Sequence, residues 1–164
     1  MFFLHHLLDD TILNNYQNLV VIKSISKSFG VPGLRLGIMA SANSNLTDSV
    51  KEKLAIWNLN SYAEFFMQIF SKHEADYHKA CNRFIEERKF LIDGLNKTGI
   101  LKVFPSQANF LLCEIVSNHT AKELAKELLC SYNILIKDCS GKKGFNGRNF
   151  IRLAIRNHED NIKL

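Results

Sequence analysis

Hydrophobic and polar residues alternate along the chain in blocks whose periodicity predicts strands and helices in turn. The β-branched run 19–25 predicts a strand, and 34–40 predicts a second one after the turn Val31-Pro32-Gly33. The other predicted strands are 101–104, 109–115, 134–137 and 150–155. The first forty residues thus carry two strands with no helix between them.

Helical spacing of charged and apolar residues is longest over 74–97, and Gly99 follows where helices commonly end. This pattern predicts one long helix. Shorter helices are expected from Ser44 or Asn45 to residue 57, from Asn60 or Ser61 to 72, over 120–132, and in the final segment HEDNIKL. Strands interleaved with helices indicate an α/β chain whose later part is an α+β domain, a small sheet with helices on one side.

The composition is that of a globular domain, with 164 residues, 46% hydrophobic and 23% charged. The net charge of +5 permits an anionic ligand, but no run of five like charges occurs, so nucleic acid is not an expected partner. Only the loop KDCSGKKGFNGRNF, with Lys142 and Lys143, suggests RNA contact, and it keeps a nucleic-acid module open as an alternative.

The four cysteines stand far apart without a CxxC pair, which predicts free thiols in a cytoplasmic protein, three of them in the core. The opening MFFLHHLL is too short and lacks the basic start of a signal peptide, and no run approaches the ~18 apolar residues of a membrane span. No metal site is expected, because His5-His6 are sequence neighbours that point apart and His73 and His78 miss the helical i, i+4 spacing.

Candidate chemistry is concentrated in SISKSFGVPGLRLG, residues 24–37. Lys27 follows an apolar strand, and a lysine next to other positive charge can serve as an amine nucleophile. If the chain turns at Pro32-Gly33, Ser24, Ser26 and Arg35 converge and offer two hydroxyls and a guanidinium to phosphate oxygens. A P-loop is excluded, because its glycines would fall where Val21 and Ser26 stand.

This segment matches every fixed position of SxSKxxGxxGxRxG and resembles the lysine segment of pyridoxal-phosphate-dependent class I and II aminotransferases of fold type I. The stretches WNLNSYAEFF, ERKFLIDGL, VFPSQANFLL, ILIKDCS and FIRLAIRNHEDN are similar, in order and spacing, to the carboxy-terminal half of histidinol-phosphate aminotransferases and threonine-phosphate decarboxylases. The resemblance covers nearly the whole chain.

The resemblance implies a cofactor, pyridoxal 5'-phosphate, held as a Schiff base by Lys27, with Ser24, Ser26 and Arg35 on its phosphate. It places Arg152 on the substrate carboxylate. Family members that act on phosphorylated substrates carry an arginine where Lys137 stands. Lys137 would therefore contact a substrate phosphate through a single ammonium group instead of a planar guanidinium with two donors.

A second cation near the substrate is then expected from Arg156 or Arg148. The family's aspartate on the pyridine nitrogen belongs about thirty residues before the lysine, ahead of Met1. We therefore expect a carboxy-terminal fragment with little activity alone and an uncovered apolar face. In it, residues 1–42 are a remnant of the large cofactor domain, and 43–164 are connecting helices and the small domain.

The function implied by this resemblance is an aminotransferase acting on an amino acid, possibly a phosphorylated one. A threonine-phosphate decarboxylase of the same fold is the first alternative, and a non-catalytic association or regulatory domain is the second. A homodimer with a small-molecule amino-acid substrate is the expected assembly, with no membrane partner.

Overall fold

The computed structural model describes residues 10–164, which form two compact units, the first ending at Tyr77 and the second comprising His78–Leu164. The predicted boundary after residue 42 is a different division and stays a prediction. The first unit contains α1 (Asp10–Asn15), β1 (Val21–Ser24), α2 (Ile25–Ser28), a 3-10 turn (Pro32–Leu34), β2 (Gly37–Ala40), α3 (Ser44–Lys53), α4 (Ser61–Phe70) and a second 3-10 turn (Ser71–His73).

Helix α5 (Glu74–Lys97) begins at the end of the first unit and continues through the second. The remaining elements are β3 (Leu101–Val103), β4 (Phe110–Ile115), α6 (Ala121–Tyr132), β5 (Lys137–Asp138), β6 (Phe150–Ala154) and α7 (His158–Lys163). Among residues 10–164, no helix has the length and apolar character needed to cross a bilayer.

Strands β1 and β2 pair antiparallel, with Ser24 opposite Gly37 and Val21 opposite Ala40. The prediction that no helix separates these strands is wrong, because the single helical turn α2 follows β1 directly. Its first turn is capped by the Ser24 hydroxyl, which accepts a hydrogen bond from the Lys27 backbone N–H at 3.4 Å. Helix α1 was not expected either.

Aromatic rings hold this turn against the helix that follows. The Phe29 ring lies 6.1 Å from Phe66, 4.6 Å from Phe70 and 4.5 Å from Tyr77, measured between ring centroids. The Tyr77 hydroxyl donates to the Ser28 carbonyl at 3.2 Å. Such edge and tilted ring pairs add to the gain from burying apolar surface, so the position of α2 is well determined.

Helix α3 ends at Lys53, earlier than the predicted residue 57, because Leu54 is extended (φ −72°, ψ 142°). The segment 54–60 that follows is exposed along its whole length, and Ile56 and Trp57 are each 91% exposed. None of residues 10–77 buries the apolar side chains of Ile56 and Trp57, which would have to hold another helical turn.

The second unit is a four-stranded antiparallel sheet in the order β3-β4-β6-β5, covered on one face by helices. Alternate residues of β4 and β6 point into the core with Leu91 and Leu95 of α5 and Ala121 of α6. The most deeply buried large side chains are Leu111, Cys113, Ile151 and Leu153. The prediction of a small sheet with helices on one side is confirmed.

Strand β5 begins at Lys137 and is shorter and later than the predicted strand 134–137. The reason is the end of α6, where Asn133 adopts the left-handed conformation (φ 56°) and Ile134 N–H bonds the Leu128 carbonyl at 3.0 Å. This Schellman-type ending uses residues 133 and 134 before the chain can extend.

Helix α6 begins with a complete capping box, in which the Thr120 hydroxyl accepts from Glu123 N–H and the Glu123 carboxylate accepts from Thr120 N–H. These bonds lower the pKa of Glu123.

We expect Thr120→Ala to lower the free energy of unfolding by about 1 kcal/mol. Thr120→Ser should lower it much less, because serine keeps the hydroxyl that caps the helix. Urea denaturation followed by circular dichroism checks this, and an equal loss in both variants would contradict it.

All four cysteines are free, as predicted. Cys81, Cys113 and Cys139 are buried and Cys130 is exposed, which agrees with the prediction that three of the four lie in the core. Burial raises the pKa of the Cys113 thiol from 9.0 to about 11.

At pH 8 we expect an aromatic disulfide reagent to label Cys130 first and Cys113 only after denaturation, because the thiolate is the reactive form. Mass spectrometry of timed digests checks the order, and early labelling of Cys113 would contradict it.

Candidate active site

Lys27 is the third residue of α2, and its side chain is exposed. The turn around it is short because Gly30 takes a left-handed conformation (φ 70°), which glycine adopts at little cost. Among residues 10–164, the Lys27 amine makes no hydrogen bond or ion pair. It is therefore available to a ligand.

Ser26 fastens this turn to the segment leading into β2. Its hydroxyl accepts from Leu36 N–H at 2.6 Å and donates to the Leu36 carbonyl at 3.2 Å, and the residue is only 3% exposed. A further bond, from Ser26 N–H to the Leu36 carbonyl, is 3.0 Å long. In this geometry the hydroxyl proton is used within the protein, so the assignment of Ser26 to the cofactor phosphate stays a prediction.

Arg35 is the residue beside this clip, and it is exposed in the left-handed conformation (φ 53°). A non-glycine residue pays roughly 1 kcal/mol or more for that backbone, so the surroundings must enforce it. The Asn60 side chain contributes, because its amide donates to the Leu34 carbonyl at 2.9 Å while its oxygen caps α4 at Ala63 N–H.

Lys27 and Ser24 lie on one segment and Arg35 on another. The Ser26–Leu36 hydrogen bonds, here called the Ser26 clip, and the pairing of β1 with β2 join the two segments, and we call the result the turn assembly. Lys27 and Arg35 form no ion pair with another described residue. A free amine, a guanidinium and a hydroxyl are the donor set that an aldehyde with a phosphate tail requires. The residues present thus fit pyridoxal phosphate.

A second group of cations lies in the second unit, on the open face of its sheet. Lys137 of β5 and Arg152 of β6 are directly opposite each other in the register. Like charges in that position destabilise a sheet unless an anion lies between them. They line a hollow of ≈ 710 Å³ together with Asn109, Phe110, Leu135 and Asp138. Two facing cations of this kind can attract an anion, although the Asp138 carboxylate also lines the hollow.

Phe110 is the residue of this hollow that the sequence did not point to. The Arg152 guanidinium carbon lies 5.1 Å from the centroid of the Phe110 ring, a cation–π contact that restricts the guanidinium. The signal available in the sequence was an aromatic residue in the stretch SQANFLL. That this residue contacts Arg152 became evident only from the structure, where Phe110 pairs with Ala154, which is two residues from Arg152 along β6 and on the same face.

Arg156 does not line this hollow. Its Nε donates to the Asp160 carboxylate at 2.7 Å, and the side chain borders a different hollow of ≈ 690 Å³ with Lys79 and Arg83. Its assignment to the substrate stays a prediction.

Arg148 is also engaged, since it forms a two-point salt bridge with Glu114 through Nε (2.6 Å) and Nη2. That pair lowers the pKa of Glu114 and raises that of Arg148. Arg148 is therefore held away from the role of a second substrate cation in this structure.

The chain is similar to known proteins over most of its length. The family model for aminotransferase class I and II matches residues 9–163. A CMP-5'-(3-aminopropyl)phosphonate synthase of Streptomyces rubellomurinus is 34% identical over 91% of this chain and 24% of its own length. An L-serine phosphate decarboxylase of Campylobacter jejuni is 30% identical over 92% of this chain and 38% of its own.

The solved histidinol-phosphate aminotransferase of Clostridium acetobutylicum superposes with a TM-score of 0.82 at 32% identity, over 92% of this chain and 45% of that one. The chain thus spans less than half the length of the relatives it matches. Enzymes of this family depend on pyridoxal phosphate. The α/β fold and the match over nearly its whole length show that the chain belongs to the aminotransferase class I and II family.

Proposed function

We propose that this chain is the lysine-bearing part of a pyridoxal-phosphate-dependent aminotransferase that acts on an amino acid. The observation that carries the proposal is the turn assembly in which the Ser26–Leu36 clip joins the segments of Lys27 and Arg35, whose side chains have no ion-pair partner among residues 10–164. When bound, pyridoxal phosphate acts as an electron sink for bonds at the substrate Cα.

The residues of the turn have separate roles in this proposal. Arg35 and the Ser24 hydroxyl hold the phosphate tail, and Ser26 joins them if its proton leaves the Leu36 carbonyl. Lys27 Nζ would hold the cofactor aldehyde, and as a free amine beside the substrate it would carry the proton to and from Cα. An exposed amine without an internal ion pair can perform both tasks.

The hollow on the second unit suggests which amino acids are bound. Arg152 presents a planar fork to a carboxylate, and Lys137 opposite it offers a second positive charge. Within residues 10–164 these two cations form no ion pair with an acidic side chain, which favours a substrate with two anionic groups, such as a phosphorylated amino acid. Arg156 is a third cation if it leaves Asp160.

A decarboxylase of a phosphorylated amino acid is the second candidate, and the similarity to L-serine phosphate decarboxylase favours it. The two reactions differ in which bond at Cα is broken, and the proposed binding residues serve both. We further propose a homodimeric cytoplasmic enzyme, which rests on the family resemblance. A non-catalytic association domain is the alternative that failure of cofactor binding would favour.

Binding of O-phospho-L-serine to the chain, followed by nuclear magnetic resonance of backbone amides, tests the substrate part. We expect shifts in β5 and β6 and an affinity about tenfold above that of L-serine, because the phosphate adds a charge-assisted contact with Lys137. Inorganic phosphate at the same ionic strength is the control. Equal binding of serine and phosphoserine would contradict the assignment.

A further inference from the structure

Arg88 is a charged residue on the buried face of α5. Cys81, Arg88, Leu91 and Leu95 follow one another at helical spacing and are the buried residues of this helix, so they share the face that packs on the core. Arg88 is only 8% exposed. An apolar side chain at this position would avoid the cost of removing a guanidinium from water. The charge therefore requires polar partners inside the protein.

The partners of Arg88 lie in the irregular segment 104–109 between β3 and β4, which we call the β3–β4 loop. Its Nη1 donates to the Ala108 carbonyl at 3.3 Å, and its Nη2 donates to the Gln107 side-chain oxygen at 3.5 Å. Within residues 10–164 no carboxylate forms an ion pair with Arg88. The loop thus satisfies the buried guanidinium, and the guanidinium in turn holds the loop.

Other hydrogen bonds fix the second half of this loop. The Ser106 hydroxyl donates to the Phe110 carbonyl at 2.6 Å and accepts from Ala108 N–H at 3.1 Å. The Asn109 carbonyl accepts from Ile155 N–H, just after β6, at 3.1 Å. The loop is therefore bonded to itself and to the end of β6, and the guanidinium adds its connection to α5.

The end of the β3–β4 loop leads into the hollow that Arg152 and Lys137 line. Asn109 and Phe110 are part of its wall, and the Phe110 ring centroid lies 5.1 Å from the Arg152 guanidinium carbon. A displacement of the loop moves this ring, so the conformation of the loop and the orientation of Arg152 are coupled. Helix α5, which carries Arg88, covers the core face of the sheet, whereas Arg152 lies on the open face.

We propose that Arg88 is a positioning residue for this hollow, because it holds the β3–β4 loop in the conformation that places Phe110 against Arg152. Arg88 does not itself line the hollow and acts through the loop. A guanidinium suits this task, since its planar set of donors fixes the direction of the bonds that it makes. The effect on substrate affinity rests on the proposed function, whereas the effect on the conformation of Arg152 does not.

Nuclear magnetic resonance of the Arg152 Nε–H group in the full chain, without ligand, tests the positioning. The ring current of Phe110 shifts this resonance, and Phe110→Leu defines its position when the contact is lost. Arg88→Met keeps the length of the side chain and removes both bonds to the loop, so it should move the resonance most of the way to that position. It should also weaken binding of O-phospho-L-serine about three- to tenfold.

Leu91→Ala is the matched control, because it weakens packing on the same face of α5 without removing a hydrogen bond to the loop. It should leave the Arg152 resonance in place, and urea denaturation compares its stability with that of Arg88→Met. If Arg88→Met does not fold, Arg88→Lys repeats the test. Its ammonium lacks the planar two-point contact, so it should move the resonance in the same direction by a smaller amount.

Two results would overturn the proposal: an unchanged Arg152 resonance in a folded Arg88 variant, or an equal change in Leu91→Ala. A resonance that moves as expected would uphold it even if the unchanged chain bound no O-phospho-L-serine. In that case the substrate assignment fails by itself, and the role of Arg88 in holding Phe110 against Arg152 stands.

Discussion

Replacing Lys27 by alanine is expected to abolish the visible absorbance band that pyridoxal phosphate gives when it is bound through a lysine amine. The side chain of Lys27 is exposed, so its removal leaves the packing of Phe29 against α4 intact. The effect should therefore be complete loss of the band with an unchanged free energy of unfolding. Spectroscopic titration with the cofactor, paired with urea denaturation, measures both.

The matched control for this experiment is Lys53→Ala, an exposed lysine of the same unit at the end of α3. It should keep the band. Arg35→Ala should keep the covalent bond but weaken cofactor affinity about tenfold or more, since a charge-assisted phosphate contact is lost. Equal bands in Lys27→Ala and the unchanged chain would contradict the proposed role of Lys27.

Arg152→Ala is the substitution with the second largest expected effect. Its guanidinium lies over Phe110 and opposite Lys137, so alanine removes the fork proposed for the substrate carboxylate. We expect binding of O-phospho-L-serine to weaken about tenfold to a hundredfold, as for the loss of a charge-assisted hydrogen bond. Isothermal titration of the full chain measures the loss.

Two further variants separate charge from geometry at this position. Arg152→Lys should recover only part of the affinity, because an ammonium lacks the two-point contact of the guanidinium. Lys102→Ala, on β3 of the same sheet and outside the hollow, should have no effect beyond that of one surface charge. A similar loss in Lys102→Ala and Arg152→Ala would indicate non-specific attraction instead of a site.

The regular elements of the second unit followed from local patterns. Helical periodicity predicted a long helix from Glu74 to about Lys97, which is the extent of α5, and the strand patterns over 109–115 and 150–155 predicted β4 and β6. Each of these elements buries one face only, so the spacing of its apolar residues in the sequence is the spacing of its buried side chains. The sequence likewise predicted free thiols with three of the four in the core, without indicating which three.

What the sequence left undetermined depends on contacts between distant residues. The turn α2 exists because Ser24 caps it and Ser26 bonds to Leu36, ten positions away. Arg156 bonds Asp160 and does not line the hollow of Arg152, which its spacing in FIRLAIR did not indicate. The motif spacing identified which residue types could bind a ligand. Which of these side chains remain available to a ligand depends on the hydrogen bonds they form within the protein, and the spacing does not reveal those bonds.

The cofactor lysine is the central claim, and covalent mapping tests it most directly. The chain is incubated with limiting pyridoxal phosphate, reduced with borohydride and digested, and mass spectrometry locates the pyridoxyl group. The account predicts that the label lies on Lys27. A label on Lys23, or one spread evenly over exposed lysines such as Lys53 and Lys142, would contradict it.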